Sequence, residues 1–307
     1  MTVHATSARV ARIAQGILDL PTLPTVVAKI VQLVDNPRTS AATLAQLISS
    51  DPALTARMLK MANSAYYGFP RRIGTINLAI VVLGFNTVRD LAISASLAER
   101  INIDHDGSDP MADFWDHSVA TAVAARMLQR QTQNRQVGEA FVAGLLHDIG
   151  RLVVARYLPE EFHRVQDALA QSQEPLWSVE LEVLGMGHPE VGSTLCKHWN
   201  LPEPICESIH YHHNPLGLED NRTLACILHV AEYMAHRSGR NPHIEGRLRP
   251  VEAGVAEALG LRRNTRGEPD MVWYLERLQD ELQRAESFRD ILLGRQTQDR
   301  EEDGHAF

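Results

Sequence analysis

The strongest constraint on this chain is the spacing of its apolar residues. Nearly everywhere they recur at steps of three and four, and no stretch alternates long enough to make a useful β-strand. Val26, Val27, Ile30, Val31, Leu33 and Val34 form one helical stripe, introduced by the Pro21–Pro24 turn and ended at Asn36-Pro37. Thr39 or Ser40 can cap a short helix carrying Leu44, Leu47 and Ile48. At Asp51-Pro52 the chain restarts, with an acidic N-cap followed by a proline that loses no bond in the first turn. Leu54, Met58, Leu59 and Met61 make the buried side of that helix, which Gly68 and Pro70 close. Further helices are expected over 75–83, 87–101, 112–131, 138–157, 159–172, 177–185, 189–199, 202–212 and 221–238. The chain is therefore expected to be an all-α, multi-helix bundle.

Two polar stretches divide this pattern. Asp104–Pro110 (DHDGSDP) is the clearest internal break, and Gly239–Pro250 reads as a linker. The expected divisions are an N-terminal helical half (1–105), a second helical half (106–238), and a linker, helix and disordered tail (239–307). In the last part Met271, Leu275, Leu278, Leu282, Ala285, Phe288 and Leu292 form an amphipathic helix of about six turns. That helix can pack back on its own chain or offer a seam to a second copy, giving a homodimer.

Composition excludes several classes. The longest apolar stretch, Leu78–Phe85, falls far short of the ~20 residues needed to span a bilayer. No apolar signal segment opens the sequence. Three cysteines (Cys196, Cys206, Cys226) show neither CxxC spacing nor an even framework, which suits small core residues in a reducing, cytoplasmic compartment. With a net charge of −8 the chain has no global attraction for nucleic acid or anionic lipid. Residues 41–63 can be drawn as a helix-turn-helix around Ser50-Asp51-Pro52, but only Arg57 and Lys60 offer cations on the second helix, so DNA binding is not expected.

The chemistry concentrates in imidazoles and carboxylates. His147-Asp148 lies in an apolar run, AGLLHDIG, where two ionisable groups are costly to bury unless paired or bound to metal. Asp148 can present two oxygens to two ions. His117 follows Trp115, with Asp113 one turn earlier as a candidate ligand or acceptor for the imidazole N–H. His188 precedes Pro189 at a helix start. His210, His212 and His213 crowd into four positions, and on a helix they cannot all reach one point. His229 and Glu232 stand one turn apart in an otherwise apolar segment, Glu232 being the carboxylate assigned to the site. His4, His105, His163, His198, His236, His243 and His305 lack such context and are assigned no role. Imidazole and carboxylate donors from five separated points suit one or two divalent ions, such as iron, manganese or zinc.

In this order (His117, His147-Asp148, His188, His212-His213, Glu232) the chain resembles the HD-domain superfamily, and especially the HD-GYP phosphodiesterases. LPTLPTVVAKIVQLVDNPRTSAATLAQLISSDPALTARMLKMANSAYYG, followed by INLAIVVLGFNTVRDLAIS, is similar to the HDOD family of bacterial signalling output domains. The resemblance spans roughly residues 17–238. It implies an all-helical HD-like domain, acting in bacterial signal transduction through a protein partner and commonly without demonstrated catalysis. It also implies a retained or vestigial site for divalent ions, with dinuclear iron or manganese as the candidates. The alternative it implies is a metal-dependent phosphohydrolase acting on a nucleotide or cyclic dinucleotide. There His117, His147, Asp148 and Glu232 would hold one ion, Asp148, His188, His212 and His213 the other, with Asp148 bridging and Arg151 beside it. Three departures bear on that alternative. Arg151 stands where catalytic HD-GYP members carry lysine, NPLGLED replaces the GYP segment, and Glu232 replaces an aspartate.

Overall fold

The computed structural model describes residues 13, 15–16, 23–100, 113–131, 139–220, 222–239 and 250–295. The polar break at Asp104–Pro110, nearly all of the Gly239–Pro250 linker and the acidic tail after Arg295 lie outside the described residues. Among the described residues the chain is all α-helical; the only β-type pairing is an isolated bridge between Arg263 and Pro269. Among the described residues no helix is long and apolar enough to cross a membrane.

The N-terminal helices are α1 (Thr25–Val34), α2 (Ala41–Ser49), α3 (Pro52–Ala62), α4 (Ile76–Leu83) and α5 (Phe85–Arg100). Their starts follow from capping chemistry. Ser40 Oγ accepts from Thr43 N, Asp51 from Leu54 N, and Thr75 from Leu78 N, each satisfying an amide that the first turn leaves unpaired. Gly84, at φ 82°, turns the chain sharply from α4 into α5. α1 and α3 pack on α5, and α2 packs on α4.

The second group is α6 (Phe114–Gln131), α7 (Ala140–Leu146), α8 (Ile149–Tyr157), α9 (Pro159–Gln171), α10 (Leu176–Leu184), α11 (His188–His198), α12 (Glu203–Tyr211) and α13 (Thr223–Arg237). α6 is the centre, packed by α7, α13 and the C-terminal helix α15 (Met271–Leu292), and buried on almost every face. Small residues allow this. A Cβ on Gly144 of α7 would stand 2.7 Å from the Ala122 Cα of α6, closer than real contacts permit.

A short helix over Ala253–Ala258 (α14), not anticipated from the sequence, leads toward α15. α15 buries Tyr274, Leu278, Leu282, Ala285, Phe288 and Leu292 against α6, α13, α3 and α5. The apolar seam that the sequence could offer to a second copy is thus covered by the chain itself, with Tyr274 rather than Leu275 as its fully buried member. The three cysteines are free and buried, as expected of core residues.

The N-terminal layer is tied to the central helices by a buried cation. Arg89 of α5, 1% exposed, lies 3.5 Å from carboxylate oxygens of Asp35, Asp90 and Glu139, the last just before α7. Burial pushes the Asp90 carboxyl up to about 7, and Arg89 and Arg126 only partly offset it.

Candidate metal centre

The expected continuous helix over 138–157 is instead two helices, α7 and α8, broken at His147-Asp148. The break sets the direction of both side chains. His147 is the C-cap of α7, where the carbonyls of the last turn have no amide partner. Its Nδ1 donates to the Gly144 carbonyl at 2.8 Å. His212, the C-cap of α12, does the same to the Ile209 carbonyl at 2.6 Å. A carbonyl can only accept, so Nδ1 is the donor in each ring and Nε2 is the nitrogen left to face the pocket. Two helix ends therefore aim two Nε2 atoms inward.

His188 enters from the first turn of α11. Glu180 of α10 accepts from its Nδ1 at 2.6 Å and from its backbone N at 2.8 Å, fixing both the ring and the helix start. α11 approaches α8 closely only because residue 150 is glycine, since a Cβ there would collide with the His188 carbonyl oxygen. That contact sets His188 Nε2 3.1 Å from Asp148 Oδ1. His213, in the turn after α12, places its Nε2 3.1 Å from His188 Nε2 and its Nδ1 3.5 Å from Glu232 Oε2. The turn is held from α13, where His229 Nδ1 donates to the His212 carbonyl at 2.9 Å. His229 thus supports the backbone instead of facing the pocket through that nitrogen. His210 lies against Tyr211 on α12.

All seven predicted ligands meet in one region. Their donor atoms include two triads, His117–His147–Asp148 and His188–His212–His213, each with ligand atoms within 4.8 Å of one another. Asp148 Oδ1 joins them, 3.6 Å from His147 Nε2 and 4.0 Å from His212 Nε2. Glu232 Oε2 lies 3.9 Å from His212 Nε2. The expectation that Asp148 offers both oxygens is corrected, because Oδ2 is held by Arg151 Nη1 at 2.6 Å, one turn along the chain. Arg151 is buried, and its Nε and Nη2 have no hydrogen-bond partner.

The donors fit a divalent cation. Buried His147 Nε2 lacks a hydrogen-bond partner and faces Asp148 Oδ1, also without one, at 3.6 Å. Only a proton or a cation between such groups relieves the repulsion. Burial lowers His117 to about 3 and His212 to about 4, so both are neutral, as ligation requires. Burial also lowers His188, but Glu180 and Asp148 outweigh it and raise it to about 10. Burial opposes ionisation of Asp148, yet the charges around it, with His147, Arg151 and His188 foremost, hold it well below the usual carboxylate range. Glu232 is lowered in the same way, chiefly by His213 once burial is overcome.

Three members of the pocket escaped sequence reasoning. Glu180 stands in LWSVELEVL, where the signal is an acidic residue among apolar neighbours, eight residues before His188. His236, given no role, lies 3.7 Å from Glu232 Oε1 and 4.7 Å, ring to ring, from His117. Its signal was the one-turn spacing from Glu232. Trp177 stacks on His213 at 6.1 Å beside the solvent-facing edge.

Comparison with known proteins agrees with this fold. A curated relative, an uncharacterized protein of Treponema pallidum, is 31% identical over 205 residues, covering 66% of this chain and 39% of its own length. The chain therefore spans about two fifths of that relative. Among solved structures, an HDOD domain protein of unknown function from Geobacter sulfurreducens matches 93% of this chain and 98% of its own, with 25% identity and a TM-score of 0.71. A protein of Shewanella amazonensis, named as a candidate phosphohydrolase, matches 92% and 98% with 26% identity and a TM-score of 0.70. The family model for the HDOD domain covers residues 20–215, and with that match the chain belongs to the HDOD family.

Proposed function

We propose that this HDOD protein is a cytoplasmic bacterial signalling regulator, whose pocket holds a divalent metal as a structural and regulatory element and whose output is a contact with a protein partner. The observation that carries the reading is the enclosure of the donors. His117, His147 and His212 have no exposed surface and Asp148 and His188 almost none, leaving His213, Glu232 and His236 as the side chains that meet solvent. A sealed set of imidazoles suits a retained ion better than a turnover site, which needs an open position for substrate. His117, His147, Asp148, His188, His212, His213 and Glu232 would hold the metal, while Glu180, Arg151 and backbone carbonyls fix their orientation. The departures from the GYP pattern support the same reading.

The second reading, a metal-dependent phosphohydrolase, is favoured by one feature, the unpartnered Nε and Nη2 of buried Arg151 beside the pocket. A guanidinium with free donors suits a phosphoryl oxygen. A bound divalent ion would there supply Lewis acidity and an activated water.

One experiment separates them. Metal content is measured on the purified protein and an Asp148→Ala variant, and both are assayed with manganese or iron against cyclic dinucleotides and nucleotides. The regulatory reading expects bound metal, lost in the variant, with no hydrolysis above the variant's level. Metal-dependent turnover abolished by Asp148→Ala would replace it with the second reading.

A further inference from the structure

We infer that Arg151 stands in for a second cation, so that the pocket takes one divalent ion tightly and not two. The inference rests on the metal-binding reading above and concerns its stoichiometry. The two triads of donors could be counted as two sites, and Asp148 is the carboxylate that lies between them. Two divalent ions a few ångströms apart repel each other strongly, and an anion bridging them through both oxygens is the usual remedy. Here one of those oxygens is already committed. Arg151 Nη1 sits 2.6 Å from Oδ2, and only Oδ1 faces the imidazoles. The guanidinium is 4% exposed and cannot lose its charge at any accessible pH, so it cannot step aside by deprotonating.

Charge counting leads to the same number. The groups in contact around the pocket are the carboxylates of Asp148, Glu180 and Glu232, one guanidinium from Arg151, and histidines that are neutral when they ligate. Three negative charges and one positive give −2. One divalent ion brings that sum to zero. Two would leave +2 in a region almost closed to water, where uncompensated charge is strongly disfavoured.

The test uses the full chain, stripped of metal with chelator and titrated with Mn(II), with bound ion counted by elemental analysis and its environment read by electron paramagnetic resonance. The wild type is expected to retain one ion per chain, with the spectrum of an isolated Mn(II). An Arg151→Met variant, shown to be folded by circular dichroism, frees Oδ2 and makes the sum −3. It is expected to retain two ions with a spin-coupled spectrum. Two tightly held, coupled ions in the wild type would overturn the inference and leave the metal reading intact. So would a folded Arg151→Met variant that still retains one. No bound ion in the wild type would sink the metal reading itself. If the Arg151→Met variant does not fold, the wild-type count still tests the stoichiometry, and Arg151→Gln, which removes the same charge, tests the role of the guanidinium.

Discussion

Glu180 holds His188 at two points, through the ring Nδ1 at 2.6 Å and the backbone N at 2.8 Å, although eight residues and a helix boundary separate them. The carboxylate thereby fixes the ring orientation and makes Nε2 a stronger donor. Glu180→Gln keeps an acceptor but removes the charge. It is expected to weaken divalent-metal affinity by about 10- to 100-fold, measured by competition with a chelator of known affinity. Unchanged affinity would mean that His188 is not a ligand.

Gly150 tests the packing that brings α11 to the site. A Cβ there would collide with the His188 carbonyl oxygen and stand 2.8 Å from Gly192 N, and backbone cannot swing away as a flexible side chain can. Gly150→Ala should cost about 1–3 kcal/mol by overpacking and push His188 off Asp148. Both effects are measurable, the first by urea unfolding and the second as lost metal retention. A variant as stable as the wild type, with full metal content, would show that the two helices separate easily.

These two residues show where sequence reasoning stops. The helices themselves were legible because Asp51-Pro52, Asn36-Pro37 and Thr75 carry local capping and breaking chemistry, which needs no tertiary information. The residues that line the pocket were legible because imidazoles in apolar runs are rare. The break at His147-Asp148 was not, because it depends on α7 and α8 packing on different partners, α6 and α11 respectively. Arg151 capturing Asp148 Oδ2 is a rotamer choice made in the folded interior. Nor does the sequence reveal that His236 and Glu180 reach the pocket, since their neighbours come from other helices.

If the pocket holds a divalent ion, its removal should loosen the fold. A ligand that binds only the native state, at 100 times its dissociation constant, adds about 2.7 kcal/mol. Chelation should then lower the Tm by about 5 °C, read by calorimetry. Asp148→Ala should unfold at one temperature with or without chelator. A wild-type Tm indifferent to chelator and to added Mn(II) would count against the site.

Asp90 gives a pH signature remote from the imidazole pocket. Its folded value of about 7 lies above its ordinary 3.8, through burial first, with Arg89 and Arg126 pulling the other way and Glu139 adding to the rise. The folded state therefore binds this proton more tightly than the unfolded chain. The stabilising contribution is complete below about pH 4 and is lost as pH rises toward 7. Asp90→Asn cannot ionise, while Arg89 retains Asp35 and Glu139. The variant should gain on the order of 2–4 kcal/mol relative to wild type between pH 4 and pH 7.5. Urea midpoints at several pH values check this, and parallel curves would mean that Asp90 is already ionised in the folded protein at low pH.

Phe288 decides whether the C-terminal helix belongs to the body of the domain. Its ring is fully buried, 5.5 Å from Phe141 on α7 and 5.6 Å from Tyr66 in the loop after α3, so one side chain joins three parts of the chain. Phe141 lies less than two turns before His147 on the helix that ends in the pocket. Truncation to alanine removes the transfer energy of the ring and leaves a cavity whose walls belong to three different segments and cannot close together. Phe288→Ala should therefore cost about 3–5 kcal/mol in a single cooperative unfolding transition. Loss below about 1 kcal/mol, or an early separate transition, would show α15 to be an appendage that detaches before the rest of the domain unfolds.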